Sequence, residues 1–210
     1  EQRASYSPSV EECAAEYINE EKGVASAEEA LAGAMDIIAE SISDNADYRK
    51  AIRELTWKNG MLVSKAATDE DTVYSQYYDY SEALKSMPAH RVLAVNRGEK
   101  EDKLKVSVEV AEDLILNYLS GLVITNYKSP AEKYMTAAVV DGYDRLIAPS
   151  VEREIRSDMF DNASEGAIVN FEVNLKNLLM QAPLKGKTVL GYDPGYRTGC
   201  KLAVVDKTGK

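Results

Sequence analysis

Cysteine, histidine, tryptophan and phenylalanine are scarce in this chain. Its 210 residues include two Cys, one His, one Trp and two Phe. Cys13 and Cys200 lie far apart and form no disulfide framework, which suits a reducing, cytoplasmic setting. With the single His90 they make no zinc-ligand spacing, and no cofactor is expected. No run is long and apolar enough to span a membrane. The first residues are charged and lack the apolar segment of a secretory signal. Basic residues are also short, 25 Lys and Arg against 35 Asp and Glu, for a net charge of -10. The deficit is uneven. Residues 183–210 hold six cations against two aspartates, a charge of +4, so the remainder carries -14. An acidic body repels phosphate at long range. This argues against a general nucleic-acid clamp; it suits a scaffold or a surface facing basic protein partners, and solubility alone is the simpler reading.

What is present is helical periodicity. Ser26 and Glu29 have the spacing of a capping box. Ala27, Ala30, Leu31, Ala34, Ile38 and Ile42 then follow on one helical face. Gly23 separates this helix from an earlier one over about 10–19. Asp44 or Asn45 caps the next, whose apolar line is Tyr48, Ile52 and Leu55 and whose end is Asn59-Gly60. The segment 61–65 reads as extended, and 72–80, with four tyrosines, as a bent helix. Pro88 suits the first turn of a helix to about Asn96, ended by Gly98. The alternation over 104–110 predicts a strand, with 62–64 its nearest partner. Helices are expected over 111–123, with Leu114, Ile115, Tyr118 and Leu122 apolar, and from Ser129-Pro130 to about Leu146. Pro149 starts a long helix bearing Val151, Ile155, Met159 and Ala163, with Leu175, Leu178 and Leu179 continuing its face. Gly166 interrupts it and marks a bend, and Pro183 with Gly186 closes the helical part. The best domain boundary lies between these two.

The tail from Thr188 to Asp206 reads as strand, tight turn, strand, with Asp193 at the end of the first strand. Two strands alone make no stable sheet. The tail is therefore expected to open a domain whose remainder lies outside the chain. Val189-Leu-Gly-Tyr-Asp-Pro-Gly195, followed by Thr198-Gly and an apolar strand, resembles the first hairpin of YqgF-type, ribonuclease H-like domains. The longer string Asp193 to Asp206 resembles the start of that domain in the Tex family of bacterial transcription accessory proteins. Upstream, 30–39, 53–57, 79–82, 88–91 and 97–99 agree with the same family. The resemblance covers most of 11–210, whereas 1–10 matches poorly. The periodicity predicts a mainly α fold, a multi-helix bundle of about seven helices with minor strand content, and the resemblance agrees with it. A C-terminal β-hairpin would begin a truncated ribonuclease H-like α/β domain. The implied division is an N-terminal segment 1–10, a helical central domain 11–182, and a linker and hairpin 183–210. Full-length members are several times longer and bind RNA through other domains.

Among candidate residues, Asp193 stands where ribonuclease H-like nucleases place a first metal ligand. Two-metal hydrolysis needs several converging carboxylates, and Asp193 supplies one. Shaping the turn into Pro194-Gly195 is the simpler role, and Asp206 reads as a turn residue. Gly191, Gly195 and Gly199 form neither a Walker nor a Rossmann loop, and hairpin geometry explains them better. Arg197 and Lys201 are the candidate contacts to nucleic-acid phosphate in the full domain, with solvated hairpin cations the simpler reading. Tyr74, Tyr77, Tyr78 and Tyr80 could stack on bases, but they sit among acidic residues and are better read as packing. Trp57 is likewise read as core. His90, Arg91, Arg97, Lys100 and Lys103 form a modest basic cluster, expected to pair with Glu99, Glu101 and Asp102.

The sequence thus predicts a non-enzymatic scaffold from a Tex-like protein. Its parent would meet RNA or single-stranded DNA and the transcription machinery, with no membrane contact. The alternative is part of a metal-dependent nuclease with Asp193 as one ligand. Unpaired hairpin edges also predict self-association or packing on the helices.

Overall fold

The computed structural model describes every residue except Glu1, Ser7, Pro8, Pro183, Tyr196 and Thr198, and of Lys22 the backbone alone. Pro183, one edge of the predicted domain boundary, and Thr198, part of the tail motif, therefore lie outside the described residues. The chain divides into two compact units, Glu1–Ala167 and Ile168–Lys210.

In the first unit, Ser9 caps α1 (Val10–Ala15) through a full capping box with Glu12. This helix is shorter than expected. A 3-10 turn (Glu20–Lys22) and a bridge between Asn19 and Val24 follow it. Ser26 Oγ accepts the Glu29 amide at 3.2 Å and starts α2 (Ala27–Asp44). The returning Glu29 carboxylate accepts the Ala25 amide at 2.6 Å, not that of Ser26. Ala39 and Ile42 are buried, whereas Ala34, expected on that face, is exposed. Asn45 Oδ1 accepts the Asp47 and Tyr48 amides at 3.0 and 3.1 Å and starts α3 (Ala46–Asn59). Gly60 ends α3 in an extended conformation (φ -79°), not a left-handed one. A Cβ there would lie 2.9 Å from Leu84 Cδ1, so crowding selects the glycine.

β1 (Met61–Ala66) is the centre of a three-stranded antiparallel sheet ordered β2-β1-β3. Its pairing with β3 (Leu104–Glu109) sets Leu62 opposite Val108 and Ser64 opposite Val106, as the alternation predicted. The predicted bent helix over 72–80 is instead a single 3-10 turn (Ser75–Tyr77) running into β2 (Asp79–Ala83). Tertiary burial of Tyr74 and Tyr77 explains the difference, since packing and not periodicity holds this segment. α4 (Ala89–Lys100) continues past Gly98. It ends in a Schellman arrangement: Lys103 N–H donates to Gly98 O at 2.9 Å and Asp102 N–H to Glu99 O at 3.0 Å. Asp102 takes the left-handed position (φ 55°). Gly98 is required instead by packing, because a Cβ there would lie 2.6 Å from Leu104 Cδ1.

α5 (Glu112–Val123) buries Ile115 and Leu119, while Leu114, Tyr118 and Leu122 are exposed, a rotation from the predicted face. Gln2 caps its end. The Gln2 amide donates to Val123 O at 2.7 Å and accepts the Thr125 amide at 2.7 Å, which gives the N-terminal segment a structural task. α6 (Glu132–Asp141) passes without a break through a π-helical turn (Gly142–Ile147) into α7 (Ala148–Leu179). Pro149 is therefore no helix start. It has no N–H to give, and its ring crowds the carbonyl four residues back. The wide turn just before it, where Ala148 N–H reaches Tyr143 O, accommodates that defect. Gly142 lets α6 approach α2 closely, since a Cβ would lie 3.1 and 3.2 Å from Ala39 O and Cα. α7 is helical through Gly166, which does not interrupt it.

One core joins these elements, with Ile52, Val95, Ile115, Leu119, Val139, Ile147 and Ile155 fully buried. Val151, Ile155, Met159 and Ala163 of α7 face it at every fourth position, as predicted. A polar ladder runs beside it between α3 and α7. Arg49 donates to Ser150 Oγ at 2.6 Å and to Glu154 at 2.9 Å, and Arg53 pairs with Asp158.

The second unit holds the end of α7 from Ile168 and a hairpin of β4 (Val189–Asp193) and β5 (Lys201–Val205). Leu175, Leu178 and Leu179 are exposed and so do not continue the buried face. The fold is mainly α with minor strand content and a C-terminal β-hairpin.

Candidate functional site

The residues singled out for chemistry gather on the hairpin. Strand pairing is in register from Val189 opposite Val205 to Asp193 opposite Lys201. The connection 194–200 is longer than the tight turn expected. Of its glycines only Gly199 has positive φ (84°); Gly191 lies inside β4, and a Cβ on Gly195 would strike the Gly199 backbone. Asp193, Arg197 and Lys201 are all exposed. The register thus sets one carboxylate and one cation side by side at the hairpin tip, with Arg197 in the loop. Asp206 is a turn residue, as predicted. Its Oδ1 accepts the Thr208 hydroxyl at 2.7 Å, the Thr208 amide at 2.8 Å and the Lys210 amide at 3.0 Å. These bonds, the Thr208 hydroxyl foremost, hold its carboxyl below the usual range. Among the described residues, no group of three or more His, Cys, Asp or Glu is placed to hold a metal. Asp193 and Asp206 stand at opposite ends of the hairpin and are not brought together.

In the first unit Arg91, Lys100 and Lys103 of the basic cluster are spent on packing, with partners other than those expected, whereas Arg97 is exposed. Arg91 donates to Glu82 at 2.9 Å and to the Tyr80 hydroxyl at 3.1 Å, and stacks on the Tyr80 ring. The Tyr80 hydroxyl bonds Glu82. That bond, seconded by Arg91, lowers the Glu82 carboxyl from its ordinary range. Lys103 pairs with Glu70 at 3.0 Å, and Glu99 pairs with Arg156. Lys100 lies over the Phe160 ring, 5.0 Å from its centroid. His90 is exposed. Tyr74 and Tyr77 are buried and cannot stack on bases, so the packing reading holds for them. Trp57, read as core, is 37% exposed on α3.

The sequence reading missed a concavity of about 570 Å³ between α4, α7 and the sheet. Its walls come from β1, α4, β3 and α7, which are brought together only by folding, so no local pattern announces it. The only hint is that Arg153 and Ser157 stand four residues apart on α7, off its buried line.

A helical unit with a small antiparallel sheet, followed by a hairpin, defines a mainly α domain leading into a further strand-bearing segment. The family model for the Tex central region matches residues 6–171, and that for the YqgF-like domain of Tex matches 187–210. The chain belongs to the Tex family of transcription accessory proteins. It is 51% identical to protein YdcI of Bacillus subtilis over 199 residues, covering 93% of this chain and 28% of YdcI. It is 36% identical to Protein tex of Bordetella pertussis over 213 residues, 94% of this chain and 27% of that protein. S1 RNA-binding domain-containing protein 1 of Homo sapiens is 27% identical over 204 residues, 90% of this chain and 20% of that protein. The chain thus spans little more than a quarter of the bacterial relatives it matches.

Proposed function

We propose that this chain is the non-catalytic scaffold of a cytoplasmic Tex-like transcription accessory protein. Its helices hold nucleic-acid-binding parts of the longer protein in fixed relation. The parent meets RNA or single-stranded DNA and the transcription machinery. The printed name of the human relative, an S1 RNA-binding domain protein, supports RNA as the class of target. The observation that carries the scaffold reading is the use of charge in the first unit. Arg49, Arg53, Arg91 and Arg156 each tie one element to another and are not left facing outward as a basic track. The acidic balance of the body points the same way. Direct contact with nucleic-acid phosphate is left to Arg197 and Lys201 on the hairpin. Fluorescence anisotropy with labelled single-stranded RNA at physiological salt tests this. The chain binds in the micromolar range or weaker, as expected of a non-specific contact of roughly 1–100 μM. Sub-micromolar binding contradicts the scaffold reading.

The exposed apolar side chains of the hairpin, Leu190, Tyr192, Leu202 and Val204, support self-association as a further part of this reading. Sedimentation velocity across a concentration series checks it; a monomer at every concentration counts against it. The YqgF-like match across Asp193 favours a second reading, in which this carboxylate is one ligand of a ribonuclease H-like nuclease centre. Calorimetry of the complete domain with Mg²⁺ or Mn²⁺ decides it, since equal binding by Asp193→Asn ends that reading.

A further inference from the structure

The concavity between α4 and α7 has the size of a small-ligand pocket, about 570 Å³. Its apolar walls are Leu62, Val106, Val92, Val95 and Met159. Two of its charged residues are already engaged. Glu152 accepts the Val108 amide at 3.2 Å, and Arg156 pairs with Glu99 and donates to Val106 O at 3.2 Å. Three of its polar side chains are not. Asn96, Arg153 and Ser157 make no side-chain hydrogen bond or ion pair with any described residue. Arg153 and Ser157 are exposed on successive turns of α7, and Asn96 is half-buried on α4 facing the same space. Lys100 lies over Phe160, a wall residue, and adds a second cation with no carboxylate partner.

A half-open apolar cleft with an unspent guanidinium, an unspent amide and an unspent hydroxyl at its wall has a definite complement. We propose that this pocket binds a small amphiphilic anion, with an aromatic or aliphatic body and one carboxylate, sulfonate or phosphate group. The body fills the space over Val92, Val95 and Met159. The anionic group meets Arg153, where guanidinium offers a paired donor geometry for oxyanions, and Ser157 and Asn96 supply further donors. The cation matters because the surrounding protein is acidic, so an anion is held only where a local positive charge is free.

Anilinonaphthalene sulfonate is a suitable probe, and its uncharged analogue N-phenylnaphthylamine is the control. The exposed apolar side chains of 168–180 and of the hairpin also attract such dyes, so the readout must be local. Methyl NMR spectra of the whole chain, recorded during titration, provide it. The sulfonate is expected to shift Leu62, Val92, Val95, Val106 and Met159 methyl signals saturably. Arg153→Gln is expected to weaken the sulfonate about tenfold at these signals and to leave the uncharged analogue unchanged. Ser157→Trp, a substitution at an exposed position, is expected to block both. The proposal is overturned if the wall methyls stay still while those of 168–180 and the hairpin move. It is equally overturned if Arg153→Gln weakens both dyes alike.

Discussion

Glu11 shows what one exposed carboxylate can do for this fold. It accepts hydrogen bonds from the Tyr134 hydroxyl and from Lys133 Nζ, the latter at 2.9 Å, and so ties α1 to α6. The Tyr134 bond first, and then Lys133, lowers its pKa from 4.5 to about 2. A carboxylate depressed on folding stabilises the native state at pH above its unfolded value. That contribution is lost as pH falls from about 4.5 to about 2. Carbon-detected NMR titration is expected to place the Glu11 midpoint near 2 and to move it upward in Tyr134→Phe. A midpoint unmoved by that substitution refutes the assignment. The glycines separate in the same manner. Gly98→Ala drives a Cβ to 2.6 Å from Leu104 Cδ1 inside the core. The variant is expected to lose about 1–3 kcal/mol in urea unfolding. Gly166→Ala meets nothing within 4 Å in a helix and is expected to gain up to about 1 kcal/mol. Equal effects at the two sites contradict this account of why each glycine is there.

At the scale of elements, the ladder between α3 and α7 is the clearest device. Arg49 and Arg53 stand one turn apart on α3, as do Ser150, Glu154 and Asp158 on α7, so the two rows mesh. Both partners of each ion pair are partly exposed, and solvent screens them. A double-mutant cycle on Arg49→Ala and Glu154→Ala is expected to give a coupling of only about 0.2–1 kcal/mol. A coupling above that range means the pair is more enclosed than its exposure indicates. The helices themselves were legible in the sequence where local chemistry sets them. Asn45 caps α3 by its own side chain, and the four-residue spacing from Val151 to Ala163 marks the buried line of α7. Misreadings fall where tertiary contact decides. The segment 72–80 looked helical although its end enters β2, whose strand identity comes from pairing with β1, and Pro149 looked like a start because the π turn before it carries no sequence mark. The face of α5 was rotated because Leu114, Tyr118 and Leu122 are as apolar as the residues that are buried. The hairpin candidates were legible as a motif, whereas the pocket around Arg153 was not, since its walls are joined only by folding.

For the molecule as a whole, charge is divided between an acidic body and a basic tail, and the account assigns them different work. Under the scaffold proposal the body holds other parts of the longer protein in place, and contact with nucleic-acid phosphate falls to Arg197 and Lys201. Each phosphate neutralised on a single strand contributes roughly -0.7 to the slope of log binding constant against log salt. The most direct test is therefore that slope, measured by anisotropy with single-stranded RNA for the unaltered chain and for the double variant Arg197→Ala, Lys201→Ala. The account predicts a slope of roughly -1.4 that falls to near zero in the double variant. A slope that survives both substitutions contradicts the assignment of the contact to Arg197 and Lys201, and one that also survives neutralising Lys185, Lys187, Lys207 and Lys210 contradicts the scaffold claim.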